Sequence, residues 1–343
     1  MSARPLYRWH EPAFRTQYAE LKERTAAAGQ LLPGTTGTLT KRSPNPGGQE
    51  YWYRVYYNVP GRQSEQFVGS VHEEGAYAAM RERMALADWM QAQVIALRKL
   101  GYQVADKKMA RVLVELHNRG AFAAGLVMVG TLAYIAWLNE LGAKAISSST
   151  QDIDLGRRQP LKLAVPLPFL KTFADTGLPF YAVPNMPSVG ASTSVKLPGA
   201  DQLRVDLLAP GATLGATVPV PEMKWHAQAV PYYDFMLADA EPAAMLAGGQ
   251  CVPVRLPQPA RMVWHKLYAS TQRTGQREKA AKDRHQATIL AAILVDDQPG
   301  ALELTWRSAP AAMRKKIVPL RAALLLQLAP HPHARATIAA LLR

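Results

Sequence analysis

Asp152 and Asp154 stand two residues apart in the run Asp-Ile-Asp-Leu, and on a strand that spacing sends both carboxylates to one face. Like charges so close repel each other unless a cation sits between them. A hard divalent ion, magnesium first and manganese as a substitute, suits carboxylate oxygens and keeps places open for water and phosphate. A second apolar run, Arg204-Val205-Asp206-Leu207-Leu208, carries another acid. If the two strands are neighbours, Asp206 joins the pair in a three-carboxylate site for two metal ions roughly 4 Å apart, an arrangement suited to in-line displacement at phosphorus. Gly130-Thr131 ends an apolar run and opens a helical one, so its backbone N–H groups, its hydroxyl and the helix dipole are available to a phosphate. The acids also admit a plainer reading as salt-bridged structural carboxylates. Their neighbours Ile153 and Leu155 point to a half-buried strand, where carboxylates without a metal or partner are costly.

These residues need a scaffold of strands and turns. The expected fold is α+β with an α/β-like centre: a mixed-sheet core, a small N-terminal β-meander with helices, and a C-terminal helical bundle. The expected units are 1–106, 107–241 and 242–343. In the first, a helix over 13–28 precedes strands at 35–40, 50–59 and 64–68, separated by the turns Ser43-Pro44-Asn45-Pro46-Gly47-Gly48 and Pro60-Gly61. Met80, Met84, Ala87, Met90, Val94 and Leu97 then recur at helical spacing over 72–100. Within the meander, Tyr51, Trp52, Tyr53, Tyr56 and Tyr57 lie among Lys41, Arg42, Arg54 and Arg62. One face could stack bases while the cations meet phosphates, as an RNA-binding surface would; the simpler reading is that the aromatics pack the sheet on its neighbouring helix. The middle unit reads as a helix over 107–120, a strand at 126–129, a helix over 132–141, the acidic strand, and short strands at 180–183, 192–196 and 203–208. Beyond about residue 242 the pattern turns helical, over 260–272, 280–294, 309–328 and 334–342.

Composition narrows the chemistry. Cys251 is the single cysteine, which excludes a disulfide framework or a thiolate metal cluster and fits a reducing, cytoplasmic setting. The N-terminus lacks the apolar core of a signal peptide. Residues 121–138 carry no charge and are long enough to suggest a membrane span, but they divide into strand, Gly-Thr turn and helix, so no membrane partner is expected. The net charge of +14 is uneven: 15 basic against 10 acidic residues over 1–110, 10 against 11 over 111–254, and 15 against 5 over 255–343. A basic C-terminal region attracts polyanions, nucleic acid foremost. His265 and His285, on helices beside cations, and His331 and His333, flanking a proline, read as surface or phosphate-side residues without a metal role.

Val129-Gly130-Thr131-Leu132, Asp152-Ile153-Asp154-Leu155 and Val205-Asp206-Leu207-Leu208 together resemble the signature of the DNA polymerase β-like nucleotidyltransferases. About twenty residues separate Thr131 from Asp152, more than in compact members, with the insertion near 143–150. The segment from Val252 to Pro259, then Trp264-His265-Lys266-Leu267-Tyr268-Ala269, Arg273 and Lys282-Asp283-Arg284-His285, is similar to the C-terminal region of AbiEii-like nucleotidyltransferases of bacterial toxin–antitoxin pairs. Family members carry a further acid three residues after that Asp, where this chain has Gln286. The aromatic meander resembles the N-terminal extension of a larger bacterial nucleotidyltransferase-like group.

The resemblance implies transfer of a nucleoside monophosphate from a nucleoside triphosphate (ATP among the candidates) to an acceptor hydroxyl, with loss of pyrophosphate. Asp152, Asp154 and Asp206 would be the catalytic metal ligands, for two magnesium ions. Gly130, Thr131, Lys266, Arg273 and Asp283 would bind the nucleotide, Lys266 on triphosphate oxygens. Read from the residues alone, Lys266 could instead be a solvated helix lysine and Arg273 a salt-bridge partner. RNA, the tRNA 3′ end in particular, is the first acceptor implied, in a toxin partnered by an antitoxin protein. A protein or small-molecule acceptor is the second reading, and a catalytically silent nucleic-acid-binding protein the third.

Overall fold

A computed structural model describes residues 4–59, 61–146, 150–184, 190–199 and 203–343. Pro60 of the expected Pro60-Gly61 turn and residues 147–149 of the expected insertion lie outside the described residues.

The chain opens with β1 (Tyr7–Trp9) and α1 (Pro12–Ala27). A three-stranded antiparallel sheet follows, β2 (Thr38–Arg42), β3 (Tyr51–Val59) and β4 (Arg62–Ser70), then the long α2 (Glu74–Lys99). Strand alternation divides the aromatics of β3 between two environments. Trp52 turns toward α2 and meets Tyr77 at 4.6 Å between ring centroids. On the other face, Tyr51 and Tyr53 each lie 5.6 Å from Phe67, which is 58% exposed. The packing reading therefore holds for the face of Trp52, whereas the opposite face leaves the Phe67 ring largely open. The cations are more occupied than expected. Arg54 is fully buried and donates to the carbonyls of Pro33, Thr35 and Thr36 and to Gln66 Oε1, while Arg42 pairs with Glu65 and Arg62 donates to Gly177 O.

The middle of the chain begins with α3 (Lys107–Asn118), capped by Asp106, whose carboxylate accepts from Met109 N at 2.8 Å. It continues through β5 (Val127–Val129), α4 (Gly130–Glu140), β6 (Ala143–Ala145) and β7 (Asp152–Gly156). The uncharged run at 121–138 thus feeds β5 and α4, and α4 is buried from Leu132 to Asn139. Such an all-round apolar helix belongs inside a packed core. Among the described residues, no helix is long and apolar enough to cross a membrane. After α5 (Phe169–Ala174) come β8 (Tyr181–Ala182), β9 (Ser194–Lys196), β10 (Arg204–Pro210), β11 (Thr217–Val220), β12 (Trp225–Val230) and α6 (Tyr233–Met236).

The central sheet runs β11-β12-β10-β7-β5, with β9 on β10 and β8 on β9. β10 is parallel to β7 and β12, whereas β5, β9 and β11 pair antiparallel with their neighbours. This is the mixed sheet of an α+β protein.

The helical C-terminal part begins later than expected, because residues 241–256 form a hairpin of β13 (Glu241–Ala247) and β14 (Gln250–Leu256). Its residues from Ala243 to Ala247 are buried one after another, and a short continuous apolar run looks the same in a buried strand and a buried helix. Then follow α7 (Pro259–Gln272), α8 (Arg277–Asp297), α9 (Ala301–Ser308), α10 (Ala311–Ile317), α11 (Arg321–Gln327) and α12 (Pro332–Leu341). The helix expected over 309–328 is broken by a 3-10 turn at Val318–Leu320, where Pro319 cannot donate. A strand pair unseen in the sequence, β1 with β6, ties the N-terminus to the segment just before the acids.

Candidate active site

The three acids lie on adjacent parallel strands in one register. Asp206 of β10 stands opposite Asp154 of β7, Arg204 opposite Asp152, and Val129 of β5 opposite Asp154 from the other side. Paired positions share a face of the sheet, so Asp152, Asp154 and Asp206 emerge together. Gly130 closes this corner: its φ is +70°, and a Cβ there would fall 1.9 Å from Asp154 Oδ2. Only glycine tolerates both that backbone and that approach. Thr131 lies half-buried in the first turn of α4.

The charges are incompletely balanced. Asp154 is pushed up to about 7, first by burial and then by Asp206 and Asp152, with Lys266 and Arg273 opposing. Asp206 is also raised by burial, against the pull of Arg204 and of a hydrogen bond from Ser194. Arg204 Nε donates to Asp206 Oδ1 at 2.8 Å, which makes the guanidinium a partial counter-ion. Among the described residues, no three carboxylate, histidine or cysteine side chains converge as a ready-made metal cage. The donor set nevertheless suits a hard divalent ion: oxygen ligands on one face, one of them holding its proton for want of positive charge.

A second group of charges lies on α7, at its end and on α8. Asp283 accepts from Lys266 Nζ at 3.2 Å through Oδ1 and from Arg273 Nε at 2.7 Å through Oδ2. Lys266 and Asp283 are 6% and 8% exposed, so Lys266 is an internal cation and the solvated reading fails, whereas Arg273 is indeed a salt-bridge partner. Lys266 and Arg273 are within electrostatic reach of Asp154, whose carboxyl they pull down against burial and its acidic neighbours. Lys282, lowered by burial and by Lys266 and raised by Asp283, Asp152 and Asp154, belongs to the same group. Gln286, a helical turn beyond Asp283, is 2% exposed with neither amide atom hydrogen-bonded among the described residues.

His265 departs from expectation. It is 5% exposed, its Nε2 lies 3.1 Å from Pro231 O, and burial pulls it down to about 4, so it is an internal neutral ring and not a surface residue. It meets Tyr233 of α6 edge-on at 5.0 Å. Tyr233 packs with Val127, Val129, Met236 and Leu237 on the acid-bearing face, and burial, Asp154 and Asp283 raise its hydroxyl. Neither Tyr233 nor Arg204 stood out in the sequence. An arginine two before an acid on one strand is a signal that could have found Arg204; Tyr233 carries none.

Three carboxylates on neighbouring strands, a glycine turn against one of them and a lysine–arginine group within electrostatic reach have the oxygen donors and cations that handling a nucleoside triphosphate calls for. A family model described as Nucleotidyltransferase matches residues 107–311, a span that holds every one of these side chains. The chain belongs to this nucleotidyltransferase family and is a transferase that moves nucleoside monophosphates, a family that typically uses divalent metals. No curated protein and no solved structure matches it.

Proposed function

We propose that this chain is a magnesium-dependent enzyme that transfers a nucleoside monophosphate from a nucleoside triphosphate to a hydroxyl of RNA, with the 3′ end of tRNA as the first acceptor and a toxin–antitoxin pair as the setting. One observation carries the reading: the register that sets Asp206 opposite Asp154, with Gly130 pressed against the same carboxyl. Asp152, Asp154 and Asp206 would hold the metal, which supplies positive charge that acidifies the acceptor hydroxyl and neutralises the triphosphate. The backbone N–H groups at Gly130-Thr131 bind phosphate oxygens at the start of α4. Lys266 and Arg273 hold the triphosphate and stabilise charge as pyrophosphate leaves, and Asp283 fixes both cations before substrate arrives, so little reorganisation is needed.

The RNA acceptor is supported by charge. Arg307, Lys315, Lys316, Arg321 and Arg335 are exposed on the last helices, and among the described residues none of them pairs with a carboxylate. An acceptor with many phosphates releases counterions on such a surface, whereas a cationic small molecule gains nothing there.

The test is incubation with each α-labelled nucleoside triphosphate, magnesium, and total RNA or protein, with Asp152→Ala as control. Label enters RNA with the wild type, and incorporation falls by about a thousandfold or more in the mutant, the scale on which aligned metal and charge stabilisation act. Label on protein moves the acceptor to the second reading. No label on any acceptor overturns the proposal.

A further inference from the structure

Among the described residues, three other than glycine have a positive φ: Lys224, Tyr232 and Asp239. Lys224 closes a 3-10 turn, and Asp239 is an aspartate in a turn, a residue type that visits this region readily. Tyr232 is different. It is a bulky aromatic at φ +61° and ψ 18° where β12 passes into α6, a conformation that glycine would take without strain. Strain of this kind persists where surrounding structure enforces it, and it gathers at sites that use the side chain.

The surroundings of Tyr232 point to that use. The next residue, Tyr233, packs on Val127 and Val129, on the sheet face that bears the acids. The preceding residue, Pro231, offers its carbonyl to His265 on α7. Tyr232 itself is only half-buried, and Tyr268 of α7 meets its ring at 4.9 Å and 83°. That edge-to-face contact fixes the ring without covering it face to face. Tyr268 lies three residues after His265, on the same side of α7, and α7 also carries Lys266 and leads into Arg273, the cations given to the triphosphate. The strained turn thus holds a braced, half-buried aromatic ring against α7, next in sequence to the tyrosine that packs on the acid-bearing face.

We propose that Tyr232, braced by Tyr268, is the shelf on which the nucleobase of the incoming nucleoside triphosphate stacks. This rests on the nucleotide-binding reading above and adds its base subsite. Stacking needs only a π-face, so the shelf accepts every base and favours the larger purine rings. It also gives the strain a role: a relaxed glycine would leave the base without a surface.

Calorimetric titration of the full chain in magnesium tests this with two probes, an ATP analogue whose α–β bridge cannot be cleaved and inorganic tripolyphosphate, which has no base. For Tyr232→Gly, affinity for the analogue falls about 5- to 100-fold while affinity for tripolyphosphate is unchanged. Tyr232→Phe keeps both. Equal analogue affinity in wild type and Tyr232→Gly overturns the shelf, as does a parallel loss of both probes, which would mean a damaged phosphate site. If the wild type binds neither probe, the nucleotide reading itself fails and the shelf with it.

Discussion

The sheet side and the helix side of the site handle charge in opposite ways. On β7 and β10, carboxylates face one another with one guanidinium among them, and Asp154 answers by holding its proton up to about pH 7. On α7 and α8, each oxygen of Asp283 has its own cation. The helix side is complete as folded, and the sheet side is missing positive charge. A buried ion group that satisfies itself is structural and preorganised; one that is short of charge is prepared for something that brings it.

The sharpest way to break this comparison is to remove the shared anion of the helix side. Asp283→Ala leaves Lys266 buried without its partner and is expected to cost about 3–5 kcal/mol, read as a fall in the urea midpoint at unchanged slope. A loss below about 1 kcal/mol would show that the cluster is not a closed unit. On the sheet side the sign reverses. The unfolded Asp154 ionises near 3.8 but the folded one near 7, so its contribution to stability is whole below about pH 4 and is lost as pH rises through 7. In metal-free buffer, Asp154→Asn is expected to stabilise the protein at pH 8 by about 2 kcal/mol, half of what three pKa units correspond to because the residue is only half-buried, with little gain at pH 4. Thermal melts across that range check both the sign and the window. The smallest effect concerns Arg204, whose side chain is 39% exposed. It competes with any divalent ion for Asp206, and Arg204→Gln is expected to tighten manganese binding by up to about fivefold, the reach of a partly exposed pair. Weaker binding in that variant would make Arg204 a helper of the metal site and not its rival.

Much of this was legible in one dimension. Asp-x-Asp in an apolar strand, a later acid in another, and a glycine-initiated helix after a strand are local patterns governed by two-residue alternation and turn geometry, and the folded chain sets them side by side. Lys266 and Asp283 were legible only through the family resemblance, because seventeen residues and a turn separate them. The hairpin over residues 241–256 was not legible, since β13 is buried at every position from Ala243 to Ala247 and has no polar face there to mark a period, nor was the β1–β6 pair that joins residues 7–9 to 143–145.

The sequence by itself determined the kinds of charge present and the local elements that carry them, because backbone stereochemistry and side-chain spacing act over a few residues. Tertiary structure alone decided how those charges are balanced. That Asp154 lies against Gly130 and keeps its proton, that His265 is sealed in its neutral form, and that Tyr232 accepts a left-handed backbone beside α7 all depend on burial and on neighbours distant in sequence. Desolvation and Coulomb forces act through space, and only the fold sets those distances.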